Sequence, residues 1–130
     1  ASVVPFIDDV ATALARADIV IERAGASSLA ELCAVGRASI LIPYPFAADD
    51  HQLKNARSLE RAGASVAIPQ SEATVSRVAR ELASLARSPE RRVAMANAAR
   101  KLGKPDAAAR VADDLLAIAK PYAASQRGAS

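Results

Sequence analysis

Short apolar runs alternate with helix-like stretches over the first 70 residues, and this alternation constrains the fold more than any other feature of the sequence. Each run is rich in Val or Ile and has the length of one strand, while apolar residues recur at helical spacing between the runs. Such an order, βαβαβαβ, predicts an α/β fold with a parallel sheet of about four strands, right-handed crossovers and helices on the sheet faces. The predicted strands are SVVPF, DIVIE, ASILIPY and SVAIP, and the predicted helices span residues 9–16, 28–35 and 50–62.

After Gln70 the sequence predicts helices only. The segment Ser88-Pro89-Glu90 indicates a helix start, since Ser caps helices, Pro is tolerated at the first helical position and an acid is favoured in the first turn. A last helix is predicted from Asp106, and the tail from Pro121 is expected to be frayed or vector-derived. Two apolar stripes are expected, one of Val75, Val78, Ala79 and Leu82 and one of Ala108, Val111, Leu115 and Ile118. Gly36 and Gly63 are expected to end helices, each before the next strand.

Composition limits the function classes. A chain of 130 residues suits one domain, and its single cysteine, Cys33, cannot form an intramolecular disulfide or a cysteine-based zinc site. A reduced, cytoplasmic setting fits best. No apolar run reaches the ~20 residues that cross a bilayer. The net charge of +3 is modest and no stacking aromatics accompany the basic residues, so a nucleic-acid partner is not expected.

A candidate anion site lies in the segment ERAGASSLAEL, where the strand DIVIE gives way to a helix. Gly25 and Ala26 place backbone of little bulk at the carboxyl edge of the sheet, and Ser27 or Ser28 is expected to cap the helix. The unpaired N–H groups and the positive end of the helix dipole then favour a phosphate.

Two charged side chains flank this turn. Arg23 can add a counter-charge to a phosphate, and Glu31, about one helical turn beyond the cap, can accept hydrogen bonds from a sugar hydroxyl. A glycine–serine turn that merely caps an ordinary helix remains the alternative, since short phosphate motifs occur by chance.

A second candidate site follows the next strand, in the segment PYPFAADDHQLKNA. Asp49 or Asp50 is expected to cap the helix, and Gln52 and Asn55, three residues apart, share a helix face. Their amides suit recognition of sugar hydroxyls, and ligands of open α/β sheets bind at the carboxyl ends of the strands, where both segments should lie. His51 is interpreted as a helix-start residue rather than a metal ligand, because it lacks companions.

The two motifs together resemble the donor-binding half of the MurG family. These bacterial transferases move N-acetylglucosamine from UDP-N-acetylglucosamine onto the undecaprenyl-linked muramyl-pentapeptide lipid. The resemblance rests on Arg-x-Gly-Ala-x-Ser/Thr-x-x-Glu after one strand and Asp-His-Gln-x-x-Asn-Ala after the next, and extends from PFIDDV to the segment KPDAAARVADDLLAIA. It implies a Rossmann-like fold, the C-terminal half of a GT-B glycosyltransferase, over residues 1–120.

The resemblance also implies roles for single residues. Phe6 and Ile7 would hold the uracil, Arg23 and the turn from Gly25 to Ser28 would face the diphosphate, and Glu31 would bind the ribose. His51, Gln52 and Asn55 would contact the N-acetylglucosamine. Family members need neither a metal nor another cofactor, because dipoles and cations stabilise the departing diphosphate. The catalytic residues are unknown, since the acceptor side lies outside this chain.

The family's first, membrane-associating domain and the glycine-rich start of its second have no counterpart here, so the resemblance implies a fragment truncated at its N-terminus. Such a fragment alone is expected to be inactive and to form homo-oligomers through bared apolar faces. The parent enzyme is expected at the inner face of the cell membrane. Three alternatives stay open: another GT-B UDP-sugar transferase, an epimerase, and a non-catalytic UDP-sugar-binding subunit that needs a partner chain.

Overall fold

The computed structural model of the chain describes residues 1–46 and 50–104. Helices and strands alternate up to residue 67, and two helices follow. In chain order the elements are α1 (Val10–Arg16), β1 (Ile19–Glu22), α2 (Ala26–Val35), β2 (Ala38–Leu41), α3 (His51–Arg61), β3 (Val66–Ala67), α4 (Val75–Arg87) and α5 (Pro89–Leu102). A short 3-10 turn, Gln70–Glu72, lies between β3 and α4.

The strands form a parallel sheet in the order β1-β2-β3, with Ile19 opposite Ala38 and Ile40 opposite Val66. The predicted parallel α/β fold is therefore confirmed, with three strands in the described residues instead of four. The segment SVVPF is not a strand, so that prediction was wrong. Val3 is 96% exposed, and a strand forms only where a neighbour supplies hydrogen bonds and packing.

Apolar side chains cover both faces of the sheet. Val20 and Leu41 pack with α1, α2 and α3 on one face, and Ile40 and Val66 pack with α4 and α5 on the other. A small cluster of Cys33, Ala64 and Ala99 joins α2 to α5. Small side chains allow this close packing in a chain with few aromatic residues.

Most predicted helix ends are confirmed. Asp9 caps α1 by accepting a hydrogen bond from the Thr12 backbone N–H at 3.0 Å, and Ser88 caps α5 by accepting from the Arg91 backbone N–H at 3.3 Å. Gly36 ends α2 in the left-handed region, with φ of 70°. Gly63 follows the end of α3 and also has positive φ.

The stripe predicted on α4 was only partly correct. Leu85 is the residue of α4 that is buried, with Val78 packed against the same cluster, while Val75 is 88% exposed. Helical spacing gave the period but not which side of the helix meets the sheet. The helix predicted from Asp106 and the tail from Pro121 lie outside the described residues. Within the described ranges, no helix combines the length and apolarity needed to span a membrane.

Candidate functional site

Three loops meet at the carboxyl edge of the sheet, because all three strands are parallel. They follow β1, β2 and β3, and most of the residues that the sequence singled out lie in these loops or in the first two turns of the helices after them. Hydrogen bonds between their side chains and backbones hold the loops together, as the following contacts show.

Helix α2 begins two residues earlier than predicted and has no side-chain cap. Its N-cap is Gly25, whose carbonyl accepts the first helical hydrogen bond from the Leu29 N–H at 3.0 Å. Ser27 and Ser28 lie inside the first turn, so the prediction that one of them caps the helix was wrong. The N–H groups of this turn have no described hydrogen-bond partner and point out of the helix end, where they can receive an anion.

Two amide side chains of α3 fix the peptide groups before this turn. The Gln52 side-chain oxygen accepts from the Ala24 N–H at 3.2 Å and from the Tyr44 N–H at 2.9 Å. The Asn55 amide donates to the Ala24 carbonyl at 3.2 Å. Ala24 is fully buried. Gln52 thus bridges the loops after β1 and β2, and Asn55 joins α3 to the first of them; the contact of both amides with a sugar stays a prediction.

Arg23 joins the ends of all three strands. Its guanidinium donates to the Ile42 carbonyl at 3.2 Å and to the Gln70 side-chain oxygen at 2.6 Å. It also lies over the Tyr44 ring, 5.7 Å from the centroid, and Tyr44 in turn makes an edge contact with Phe46. The cation is therefore held at the edge of the sheet in a fixed position.

A second acid, Glu22, lies close enough to Glu31 for the two charges to interact. Glu22 is the last residue of β1, and one of its carboxylate oxygens is buried without a hydrogen-bond partner in the described part of the chain. Burial and the nearby charge of Glu31 raise the pKa of Glu22 to about 7. Burial, and then the charge of Glu22, also raise the pKa of Cys33. Glu31 itself is exposed on α2.

The glycosyltransferase family 28 C-terminal domain is the family whose model matches residues 1–111. The chain belongs to this family. The match covers every strand and helix described above, including both candidate loops.

Two relatives with high identity to this chain are transferases of one name. The chain is 68% identical over 120 residues to the UDP-N-acetylglucosamine--N-acetylmuramyl-(pentapeptide) pyrophosphoryl-undecaprenol N-acetylglucosamine transferase of Sorangium cellulosum. The aligned residues are 92% of this chain and 30% of that protein. It is 53% identical over 116 residues to the protein of the same name from Xanthomonas euvesicatoria, covering 89% of this chain and 27% of that protein.

A solved structure also resembles this chain. The crystal structure of Acinetobacter baumannii MurG matches with a TM-score of 0.75 and 37% identity, over 86% of this chain and 32% of that one. The resemblance to the MurG family and the fold of a GT-B C-terminal domain are thereby confirmed. The chain spans less than a third of the length of each of these proteins.

The remaining residues expected to bind ligand lie before α1 and at the start of α3. Phe6 and Ile7 are exposed in the segment before α1, and no described hydrogen bond or ring contact joins them to the Gly25 turn. His51 is exposed at the start of α3. Asp50 occupies the N-cap of α3 with φ of 54° and makes no side-chain cap, while the other expected cap residue, Asp49, lies outside the described residues.

Four residues that the sequence did not single out also lie at this candidate site: Glu22, Tyr44, Phe46 and Gln70. Each lies at the end of a strand or in the loop after it, which is the position that should have drawn attention to them. In the described ranges no group of three His, Cys, Asp or Glu side chains is arranged to hold a metal ion.

The buried acid makes the stability of the domain depend on pH. Folding raises the pKa of Glu22 from 4.5 to about 7. The stabilisation that the protonated acid contributes to the folded state is therefore fully present below pH 4.5 and is lost as the pH rises through about 7. Because Glu22 is only half-buried, we expect a loss of about 1 kcal/mol after solvent screening, between about pH 4.5 and 7.5. Urea unfolding of the 130-residue chain across this range measures it.

Glu22→Gln is the control for this expectation. The amide has the shape of the acid but cannot ionise, so the variant should be more stable than the parent at pH 8 and similar to it at pH 4.5. Equal pH dependence in the two proteins would contradict the assignment to Glu22.

Proposed function

We propose that this chain is the donor-binding part of a hexosyltransferase that moves N-acetylglucosamine from UDP-N-acetylglucosamine to a lipid-linked muramyl-pentapeptide in peptidoglycan synthesis. The names of the relatives describe this transfer for those proteins. The structural observation that carries the proposal is the uncapped first turn of α2, which directly follows Arg23 and the Ala24 peptide groups that the amides of α3 hold.

The turn has the properties of a diphosphate site. Its free N–H groups and the helix dipole favour negative charge, and Arg23 adds a fixed cation at the same edge. A Cβ atom built on Gly25 would meet only the Gln52 side-chain nitrogen, at an ordinary 3.8 Å. Because packing in the described chain does not require glycine here, the space is better explained by the approach of a ligand.

The remaining roles follow the family's motifs. Glu31 binds the ribose hydroxyls, and Phe6 and Ile7 hold the uracil when the segment before α1 folds over the nucleotide. His51 and the amide nitrogen of Gln52 face the sugar, while Asn55 supports the turn through Ala24. The leaving diphosphate is stabilised by N–H groups and Arg23 without a metal.

The rest of the reaction belongs to residues outside this chain. We propose that the chain is part of a longer enzyme whose other domain binds the lipid-linked acceptor and lies at the inner face of the cell membrane. The chain alone is then inactive, and its uncovered apolar surface favours homo-oligomers.

Donor competition tests this function. Labelled UDP bound to the complete transferase, and to this chain, should be displaced at lower concentration by UDP-N-acetylglucosamine than by UDP-glucose. The variant Ala26→Pro tests the turn itself, since proline fits the first position of a helix but removes one N–H from the turn, so UDP affinity should fall. If UDP-N-acetylglucosamine and UDP-glucose displace labelled UDP at equal concentrations, the result would favour another UDP-sugar enzyme. If Ala26→Pro binds UDP as tightly as the parent, the diphosphate does not bind at this turn.

A further inference from the structure

The guanidinium group of Arg23 uses only one of its nitrogens to bind the rest of the chain. Its Nη1 donates to the Ile42 carbonyl at 3.2 Å, to the Pro43 carbonyl at 3.5 Å and to the Gln70 side-chain oxygen at 2.6 Å. Within residues 1–46 and 50–104, neither Nε nor Nη2 of Arg23 makes a hydrogen bond. The contacts with the chain therefore occupy one corner of the guanidinium and leave the opposite edge to a ligand.

This edge has the geometry that binds oxyanions. The N–H bonds of Nε and Nη2 point in the same direction, and such a fork donates two parallel hydrogen bonds to a carboxylate or a phosphate. The guanidinium lies over the Tyr44 ring, 5.7 Å from its centroid, so its plane is held as well as its corner. Arg23 stands two residues before Gly25, the N-cap of α2. The fork and the uncapped turn thus belong to the same loop.

Neutral groups hold this cation. Two carbonyl oxygens and one amide oxygen accept its hydrogen bonds, and none of the salt bridges in the described part of the chain involves Arg23. Arg57 on α3 differs, since its Nη1 pairs with the Glu60 carboxylate at 2.7 Å. A carboxylate in the place of the Gln70 amide would cancel the charge of Arg23. Glutamine fixes the guanidinium and leaves its charge to attract an anion.

The fold itself gives no reason for this contact. Gln70 is exposed and begins the 3-10 turn Gln70–Glu72, which follows β3. It lies 47 positions from Arg23 along the chain, and among the described residues its side chain makes only this hydrogen bond. An exposed side chain that holds a cation from a distant loop fits a role in the site better than a role in the core.

We propose that Gln70 is a positioning residue for the diphosphate: it orients Arg23 so that Nε and Nη2 donate to phosphate oxygens of the bound nucleotide. Gln70 acts only through Arg23 and does not touch the ligand. This inference rests on the proposed function and adds the loop after β3 to a site whose motifs follow β1 and β2. Without Gln70, the guanidinium has to be ordered when the ligand binds, and this ordering reduces affinity.

A double-mutant cycle tests the proposal in the complete transferase and in this chain. Gln70→Leu should weaken UDP binding by about three- to tenfold, which is the cost of ordering one long side chain. In an Arg23→Met background the same substitution should have no further effect, because Gln70 acts through the guanidinium. Ser71→Leu is the matched control, since it places leucine at the next exposed position of the same turn and should leave UDP affinity unchanged.

Uridine provides a readout that needs no Arg23 variant. It lacks both phosphates, so Gln70→Leu should not change the affinity with which uridine displaces labelled UDP, whereas a site loosened throughout would bind both ligands more weakly. Melting curves establish that every variant is folded at the temperature of the titrations.

The outcomes separate this inference from the proposed function. An Arg23→Met protein with parental UDP affinity would remove Arg23 from the diphosphate site, and the proposed function would lose that contact. If Arg23→Met weakens UDP binding but Gln70→Leu does not, only the role of Gln70 is overturned. Equal effects of Gln70→Leu in the two backgrounds, or equal losses for UDP and uridine, would also overturn that role and leave the proposed function intact.

Discussion

Replacing Glu31 with Gln is expected to weaken UDP binding by about ten- to hundredfold with almost no loss of stability. A hydrogen bond to a charged group contributes about 1.5–3 kcal/mol, and about 1.4 kcal/mol is tenfold in affinity. Glu31 is exposed and makes no described hydrogen bond or ion pair within the chain, so the fold does not depend on it. Loss of its charge should also lower the pKa of Glu22, because that charge is one cause of the raised pKa.

Calorimetric titration of UDP, together with melting temperatures, measures both effects in the complete transferase and in this chain. Glu90→Gln is the matched control, since Glu90 lies in the first turn of α5, away from the candidate site. It should cost a few tenths of a kcal/mol through the helix dipole and leave UDP affinity unchanged. A Glu31→Gln protein that binds UDP as tightly as the parent would defeat the ribose assignment.

The sequence predicts the strands and helices well where the pattern is local. DIVIE and the helices of residues 9–16 and 50–62 are found within one or two residues of the prediction. SVVPF has the same local pattern but is not a strand, since pairing depends on a neighbour that local composition does not reveal. Similarly, the spacing on α4 could not show that Leu85 rather than Leu82 meets the sheet.

The candidate site is predicted in location but not in its internal contacts. Parallel strands bring both motifs to one edge, so their proximity follows from the fold class. The contact of Gln52 with Ala24 joins residues 28 positions apart and depends on the exact packing of α3 on the sheet. The raised pKa of Glu22 has the same origin, because it depends on burial in the folded chain and on the charge of Glu31, which lies on a different element.

Gln52 shows how a predicted ligand residue can first serve the fold, and we expect two substitutions to separate these roles. Gln52→Leu removes the acceptor of two N–H groups, and the Ala24 N–H belongs to a fully buried residue. An unpaired buried donor costs about 1–3 kcal/mol, which corresponds to a melting temperature lower by about 4–12 °C. The loosened turn should also bind UDP more weakly.

Gln52→Glu retains the acceptor oxygen, so both N–H groups keep their hydrogen bonds and the melting temperature should stay near that of the parent. The new negative charge, however, stands beside the turn proposed to hold the diphosphate, and the like charges should weaken UDP binding by at least about tenfold. Melting curves and UDP titrations of both variants give the answer. A stable Gln52→Leu protein would show that the loop contacts contribute little, whereas a Gln52→Glu protein with parental UDP affinity would place the diphosphate away from α2 and leave its uncapped first turn without a ligand.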